Sequence, residues 1–320
     1  MPFAPIARNS RTRRRLVLAA AALSSALVVV TGNVAAASTG SVGDASSPSV
    51  QPGYVALGDS YTSGPGLEGQ TDTNCARSDR NYPSLLAESL RPAAFKDASC
   101  SGATTVQMWQ AQGTNPPQID ALSADTSLVT VGIGGNDIGF SGIIRTCLGV
   151  AQSDPAGHPC QSRFTASGTD ELAARVDATG PKIAAVLAAV RERSPRARVV
   201  VVGYPSLVPD SGVGCPSTVP FAEGDFGYLR DTLKRLNGML AEQATTAGAG
   251  YADTYRGTVG HDMCQAPADR WVEGPTPASP AAPFHPNARG HIAMAAAVMC
   301  PVAHGQKGTR RHADSTRLAG

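Results

Sequence analysis

Residues 54–64 read YVALGDSYTSG, and how that stretch ends decides the fold. Tyr54, Val55, Ala56 and Leu57 suit a buried strand. The chain then passes at once through Gly58, Asp59 and Ser60 to Thr62, Ser63 and Gly64. A plain surface turn produces this pattern, and so does a nucleophile held at the lip of a sheet. The rest of the chain has to separate the two.

Working outward, apolar runs and amphipathic segments alternate. NYPSLLAESL (81–90) has a Pro-marked helical start, and FKDASCSGAT (95–104) runs from strand into loop. SLVTVGIGGND (127–137) is a second apolar run ending in glycines. Residues 170–194 have helical spacing, with Ile183, Val186, Leu187 and Val190 on one stripe. ARVVVVGYPSL (197–207) is a continuous β-branched run, the mark of a strand covered on both faces. A second long helix is expected over 227–248, closed by Gly248, then a strand in AGYADT (249–254) and a final helix over 287–299. Strands alternating with helices predict an α/β fold whose parallel sheet is wrapped on both faces. In such sheets the active site lies off the carboxyl ends of the strands, where both VALGDS and VGIGGND deliver their polar groups.

Composition sets the surroundings. The 320 residues carry a formal charge of +2, but residues 1–37 hold five arginines and no acid. The remainder has 22 basic and 25 acidic side chains, which excludes a basic field for nucleic acid. Residues 1–37 read as a signal peptide: arginines lead into the apolar run Leu16 to Val30, followed by small residues at Ala35 and Ala37. The run falls short of the roughly 20 residues of a membrane span, so no permanent membrane anchor is expected. TRRRLVL resembles a twin-arginine signal loosely, which leaves the export route open. Residues 38–50 are small and polar, a flexible lead-in. Residues 51–300 form the single expected domain, and 301–320 a disordered tail with little to bury.

Export permits disulfides among the seven cysteines. Spacing alone does not fix their connectivity. Pairing sequential neighbours (Cys75–Cys100, Cys147–Cys160, Cys215–Cys264) gives three short loops and leaves Cys300 over. No two cysteines form a CxxC pair, so a zinc site is disfavoured and no metal is expected.

Four short segments carry chemistry. Ser60 needs a base to become a nucleophile, and the GxSxG elbow of α/β-hydrolases is absent, since Thr62 stands where its second glycine would. Asn136 follows two glycines at a strand end. Its amide suits an oxyanion, and a helix cap is the competing reading. Gly102 lies in a loop after Cys100, where its N–H can face the same point. His285, fixed by Pro286 before the last helix, suits general-base work near neutrality. His291 belongs inside that helix, His261 in a loop, and His158, His304 and His312 on the surface.

In that order, GDSYTSG, a glycine loop, GGND and a late HP resemble the four blocks of the SGNH, or GDSL, hydrolases over roughly residues 52–300. GDSYTSG with NYPSLLA, three sequential cysteine pairs and FHPNARGH is closest to the secreted lipases and esterases of actinomycetes. The resemblance implies a flavodoxin-like three-layer α/β/α sandwich and a cofactor-free serine ester hydrolase. In it Ser60 is nucleophile, His285 is base, and the Ser60 N–H, Gly102 N–H and Asn136 side chain form the oxyanion hole. It also implies the three sequential disulfides, a secreted monomer and lipid or small ester substrates. Phospholipids and sugar esters are alternatives within that fold, and a catalytically inactive binding protein is an alternative outside enzymes.

One departure matters. The family usually places an aspartate three residues before the histidine, where this chain has Ala282. The nearest upstream acids are Glu273 and Asp269. A carbonyl, of Ala282 or Pro283, is therefore expected to orient His285, as in some actinomycete members. On that reading, loss of either acid leaves most activity intact. The Cys147–Cys160 insert and the 206–224 loop, with Pro205, Leu207, Val208, Val219 and Phe221, are candidate walls of an acyl groove.

Overall fold

The strand that opens at residue 54 pairs on both sides. In the computed structural model, which describes residues 53–317 and side chains to Ala303, β1 (Gly53–Gly58) lies inside a five-stranded sheet. Its partners are β2 (Phe95–Asp97), β3 (Thr126–Gly132), β4 (Arg198–Val202) and β5 (Gly250–Ala252). The order is β2-β1-β3-β4-β5 with every pair parallel, the flavodoxin-like arrangement. In register, Val55 faces Val129 and Val129 faces Val199, so the β-branched runs lie side by side. A small antiparallel pair, Gln70–Asp72 with Arg77–Ser78, was not foreseen.

Helices cover both faces, which explains why the inner strands β1, β3 and β4 are rich in buried apolar residues, while the edge strand β2 is largely exposed. The short α1 (Ser60–Ser63) follows β1, and α2 (Tyr82–Leu90) starts where Asn81 caps the Ser84 N–H. Then come α3 (Phe140–Val150), α4 (Pro159–Thr165), α5 (Glu171–Arg193), α6 (Asp225–Thr246) and α7 (Ala288–Arg317). Helices α5 and α6 pack together as one layer, α2 and α7 as the other. The expected α5 stripe is buried, and Asp170 caps that helix on Leu172 and Ala173. Three disulfides join Cys75–Cys100, Cys147–Cys160 and Cys215–Cys264. Cys300 is exposed and takes no part in them.

One expectation is corrected. The backbone beyond Pro301 is helical to Arg317, where an unstructured tail was foreseen. The turns packed up to Val302 nucleate the helix, and extension then adds one bond per residue at little cost. The signal peptide and lead-in lie outside the described residues. Among the described residues, no helix is long and apolar enough to cross a membrane.

Candidate active site

The turn after β1 is built around a glycine that nothing can replace. A Cβ on Gly58 would lie 2.1 Å from Thr62 Oγ1 and 2.7 Å from the Gly132 carbonyl. Gln118 clamps that residue from both sides, accepting its N–H at 2.8 Å and donating to its carbonyl at 2.9 Å. Asp59 then caps α1, its Oδ1 accepting the Tyr61 N–H at 2.9 Å. Ser60, the first helical residue, is only 7% exposed.

His285 reaches that serine from 225 residues away. Its Nε2 is 2.8 Å from Ser60 Oγ, and its Nδ1 is 2.7 Å from the Pro283 carbonyl. The Ala282 carbonyl instead accepts the backbone N–H of His285. Phe284 between them sits in the left-handed region at φ 63°, a conformation that costs a non-glycine residue about 1–3 kcal/mol. It is held there by Tyr61, whose hydroxyl donates to the Phe284 carbonyl at 2.6 Å, and by backbone bonds to Glu273. By surface area His285 is only half-buried, yet its ring is walled by Tyr61 (centroids 4.9 Å) and Phe140 (6.3 Å). Burial lowers its pKa below the usual 6.5, and the Pro283 bond offsets part of that effect.

Neither acid upstream approaches the imidazole. Buried Glu273 pairs with Arg270 at 2.9 Å and accepts from Asn287 and from the Ala278 N–H. Asp269 is exposed, its carbonyl facing His261. His291 is fully buried in α7, with Nδ1 accepting the Tyr82 N–H at 3.1 Å. Burial, aided by nearby His285, pushes its pKa down to about 3. His158 is exposed, and His261 stacks on Trp271.

The oxyanion candidates converge from two further strand ends. Asn136 does not cap a helix. One hydrogen of its amide goes to the Ala103 carbonyl at 2.9 Å, leaving the other for a ligand, and Asn136 lines the same pocket as Ser60. Asp137 anchors the opposite loop through the Thr105 N–H at 2.9 Å and the Thr105 hydroxyl. The Cys100 N–H donates to the Gly58 carbonyl, which draws the Gly102 loop against the nucleophile turn. Among the described residues, the Ser60 and Gly102 N–H groups donate to no protein acceptor.

Two site residues escaped the sequence reading. Tyr204, just past β4, donates its hydroxyl to Asp59 Oδ2 at 2.6 Å and accepts the Gly135 N–H at 2.8 Å. Burial raises Asp59 to about 7 despite these hydrogen bonds. The only hint was GYP directly after a strand.

From Ser60 a groove runs over apolar side chains. Leu207, Val208 and Phe221 line it as foreseen, but Pro205 and Val219 do not and are buried elsewhere. The Cys147–Cys160 segment contributes nothing. Ile143 and Ile144 of α3, with Leu229, Leu233 and Leu236 of α6, take that role. Among the described residues, no group of three or more His, Cys, Asp or Glu could hold a metal ion.

A flavodoxin-like sandwich opening onto serine and histidine in contact defines a class, the carboxylic-ester hydrolases of SGNH type. Within it, the chain belongs to the GDSL-like Lipase/Acylhydrolase family, whose model matches residues 56–293. It is 38% identical to Lipase 2 of Streptomyces coelicolor over 279 residues, covering 84% of this chain and 93% of that one. It is 32% identical to a lipase of Streptomyces rimosus, covering 77% of this chain and 85% of that one. Among solved structures, phospholipase A1 of Streptomyces albidoflavus superposes with a TM-score of 0.66 at 30% identity, covering 78% of this chain and 99% of the other. An extracellular lipase of Streptomyces rimosus does so at 0.66 and 29%, with the same coverage.

Proposed function

We propose that the protein is a secreted serine esterase that hydrolyses acyl esters of glycerol through an acyl-enzyme on Ser60. The single observation that carries this reading is the 2.8 Å contact between Ser60 Oγ and His285 Nε2 at the head of an apolar groove. His285 takes the Ser60 proton as Oγ attacks the ester carbonyl. The carbonyl oxygen becomes an oxyanion held by the Ser60 N–H, the Gly102 N–H and the Asn136 amide. His285 then protonates the departing alcohol, and water, activated by the same imidazole, releases the acid. The Pro283 carbonyl replaces the usual carboxylate: it holds the Nδ1–H tautomer, so Nε2 is free to accept. The arginine-rich leader and the three disulfides support export.

The groove favours a long acyl chain. Each buried methylene is worth about 0.8 kcal/mol, or roughly fourfold in kcat/KM. The likeness to a phospholipase A1 makes a phospholipid the second substrate to test. The experiment is a hydrolysis profile over short and long acylglycerols, phospholipids and acetylated sugars, with wild type beside Ser60→Ala. Rising kcat/KM with acyl length, abolished by Ser60→Ala, supports the reading. Preference for acetylated sugars overturns the acylglycerol assignment. No turnover together with no labelling of Ser60 by an alkyl phosphonate overturns the hydrolase itself.

A further inference from the structure

The nucleophile and its oxyanion donors sit on separate loops, and one phenol ties those loops together. Ser60 follows β1 and Asn136 follows β3, while Tyr204 enters from beyond β4. Its hydroxyl has one hydrogen, given to Asp59 Oδ2 at 2.6 Å, and it takes the Gly135 N–H at 2.8 Å. Asp59 Oδ1 in turn accepts the Tyr61 N–H. A continuous chain of hydrogen bonds thus runs from the residue before Asn136 to the residue after Ser60.

Everything around the phenol holds it still. Asn237 of α6 accepts the Tyr204 N–H and donates to its carbonyl, both at 2.8 Å. Tyr61 meets the ring edge-on at 5.2 Å. Gly135 leaves room for it, since a Cβ there would lie 3.1 Å from the ring. Tyr204 is 4% exposed and Asp59 1% exposed, so the tie is made almost wholly within the protein, although both residues line the groove.

We infer that Tyr204 is a positioning residue for ester hydrolysis: its hydroxyl fixes the distance between the Ser60 turn and Asn136, and so between attacking oxygen and oxyanion donor. The inference rests on the serine-hydrolase reading above. Phenylalanine keeps the ring and deletes the tie. Tyr204 is part of the groove wall, but phenylalanine keeps the ring that lines it, so the apolar surface for the acyl chain survives while the transition state loses a well-placed donor. Misplacement by an ångström costs on the order of a hundredfold in rate.

The test is a double-mutant cycle on the full-length protein with a soluble acyl ester. Tyr204→Phe alone is expected to lower kcat roughly ten- to hundredfold, with KM within about twofold. In an Asn136→Ala background the same change is expected to cost less than about threefold, because the donor it places is gone. A Tyr204→Phe enzyme with wild-type kcat overturns the inference. So does an equal loss in both backgrounds, which is the signature of a merely structural residue. If Tyr204→Phe does not fold, Asp59→Asn in the same two backgrounds reads the tie from its other end. A loss that shrinks without the Asn136 amide then supports the tie, and an equal loss or none overturns it. A wild type that neither hydrolyses esters nor takes up an alkyl phosphonate at Ser60 fails the hydrolase reading instead.

Discussion

On the proposed mechanism His285 works as a base only while neutral, and its surroundings determine over what pH range that holds. Packing under Tyr61 and Phe140 disfavours the imidazolium, so the pKa falls below 6.5 and the neutral form persists into more acidic solution. A carbonyl at Nδ1 opposes this less than a carboxylate would, because it carries no full charge. The acid limb of kcat/KM is therefore expected below pH 6.5, measured with an uncharged ester. An inflection above 7 that persists in Asp59→Asn would mean that an anion stabilises the charged ring, since Asp59 itself titrates at about 7. Glu273 is the acid to exclude, but Glu273→Ala is a poor probe: the carboxylate is buried on Arg270 and Asn287 and its backbone straps Phe284 and His285. Glu273→Gln keeps the volume and should retain kcat within about threefold, as should Asp269→Ala; a thousandfold loss in either would reinstate a triad. On the proposed mechanism, Asn136→Ala removes the amide hydrogen that faces the developing oxyanion, together with the bond to the Ala103 carbonyl. It should lower kcat about a hundred- to a thousandfold, with KM nearly unchanged.

At the scale of elements, α6 supplies one wall of the groove. Leu229, Leu233 and Leu236 present one side of the helix to the groove, and Leu233 is only half-buried. Leu233→Trp should fill part of the channel while leaving Ser60 and His285 in place. The expected outcome is a selective fall in kcat/KM for long acyl chains, with short esters spared. Equal losses for both would show that acyl chains lie elsewhere. This role was hidden in the sequence, where the amphipathic pattern of 227–248 says that one face is buried but not what it is buried against. Ser60, Asn136 and His285 were singled out because the short motifs that hold them resemble, in order, the blocks of the SGNH hydrolases, and no one motif assigns a role alone. Tyr204 was not, because its meaning comes from Asp59, 145 positions away, and from Gly135 on a third loop. The sheet was legible from its uninterrupted β-branched runs. The backbone helix past Pro301 was not, since composition reports what a segment can bury and not what a packed neighbour can propagate.

Over the whole molecule, two buried groups make stability depend on pH in opposite directions. His291 titrates near 3 when folded and near 6.5 when unfolded, so between those values the unfolded chain binds the extra proton. Its contribution to stability therefore falls as the solution is acidified, by about 1.4 kcal/mol per pH unit. Asp59 titrates near 7 when folded against 3.8, so over its window the folded chain binds the extra proton, and its contribution rises on acidification by a similar amount. Where the windows overlap, from about 4 to 6.5, the two slopes cancel in the wild type. Each single variant should unmask the other group. Measured as the difference in unfolding free energy from wild type, His291→Gln should gain stability steadily from pH 6.5 to 4, while Asp59→Asn should lose it. Glutamine and asparagine keep side-chain acceptors for Tyr82 and Tyr61, and the Tyr204 bond that Asp59→Asn breaks adds an offset that does not vary with pH, so the slope reports the charge. Parallel, pH-independent offsets for both variants would mean that neither group changes its proton affinity on folding.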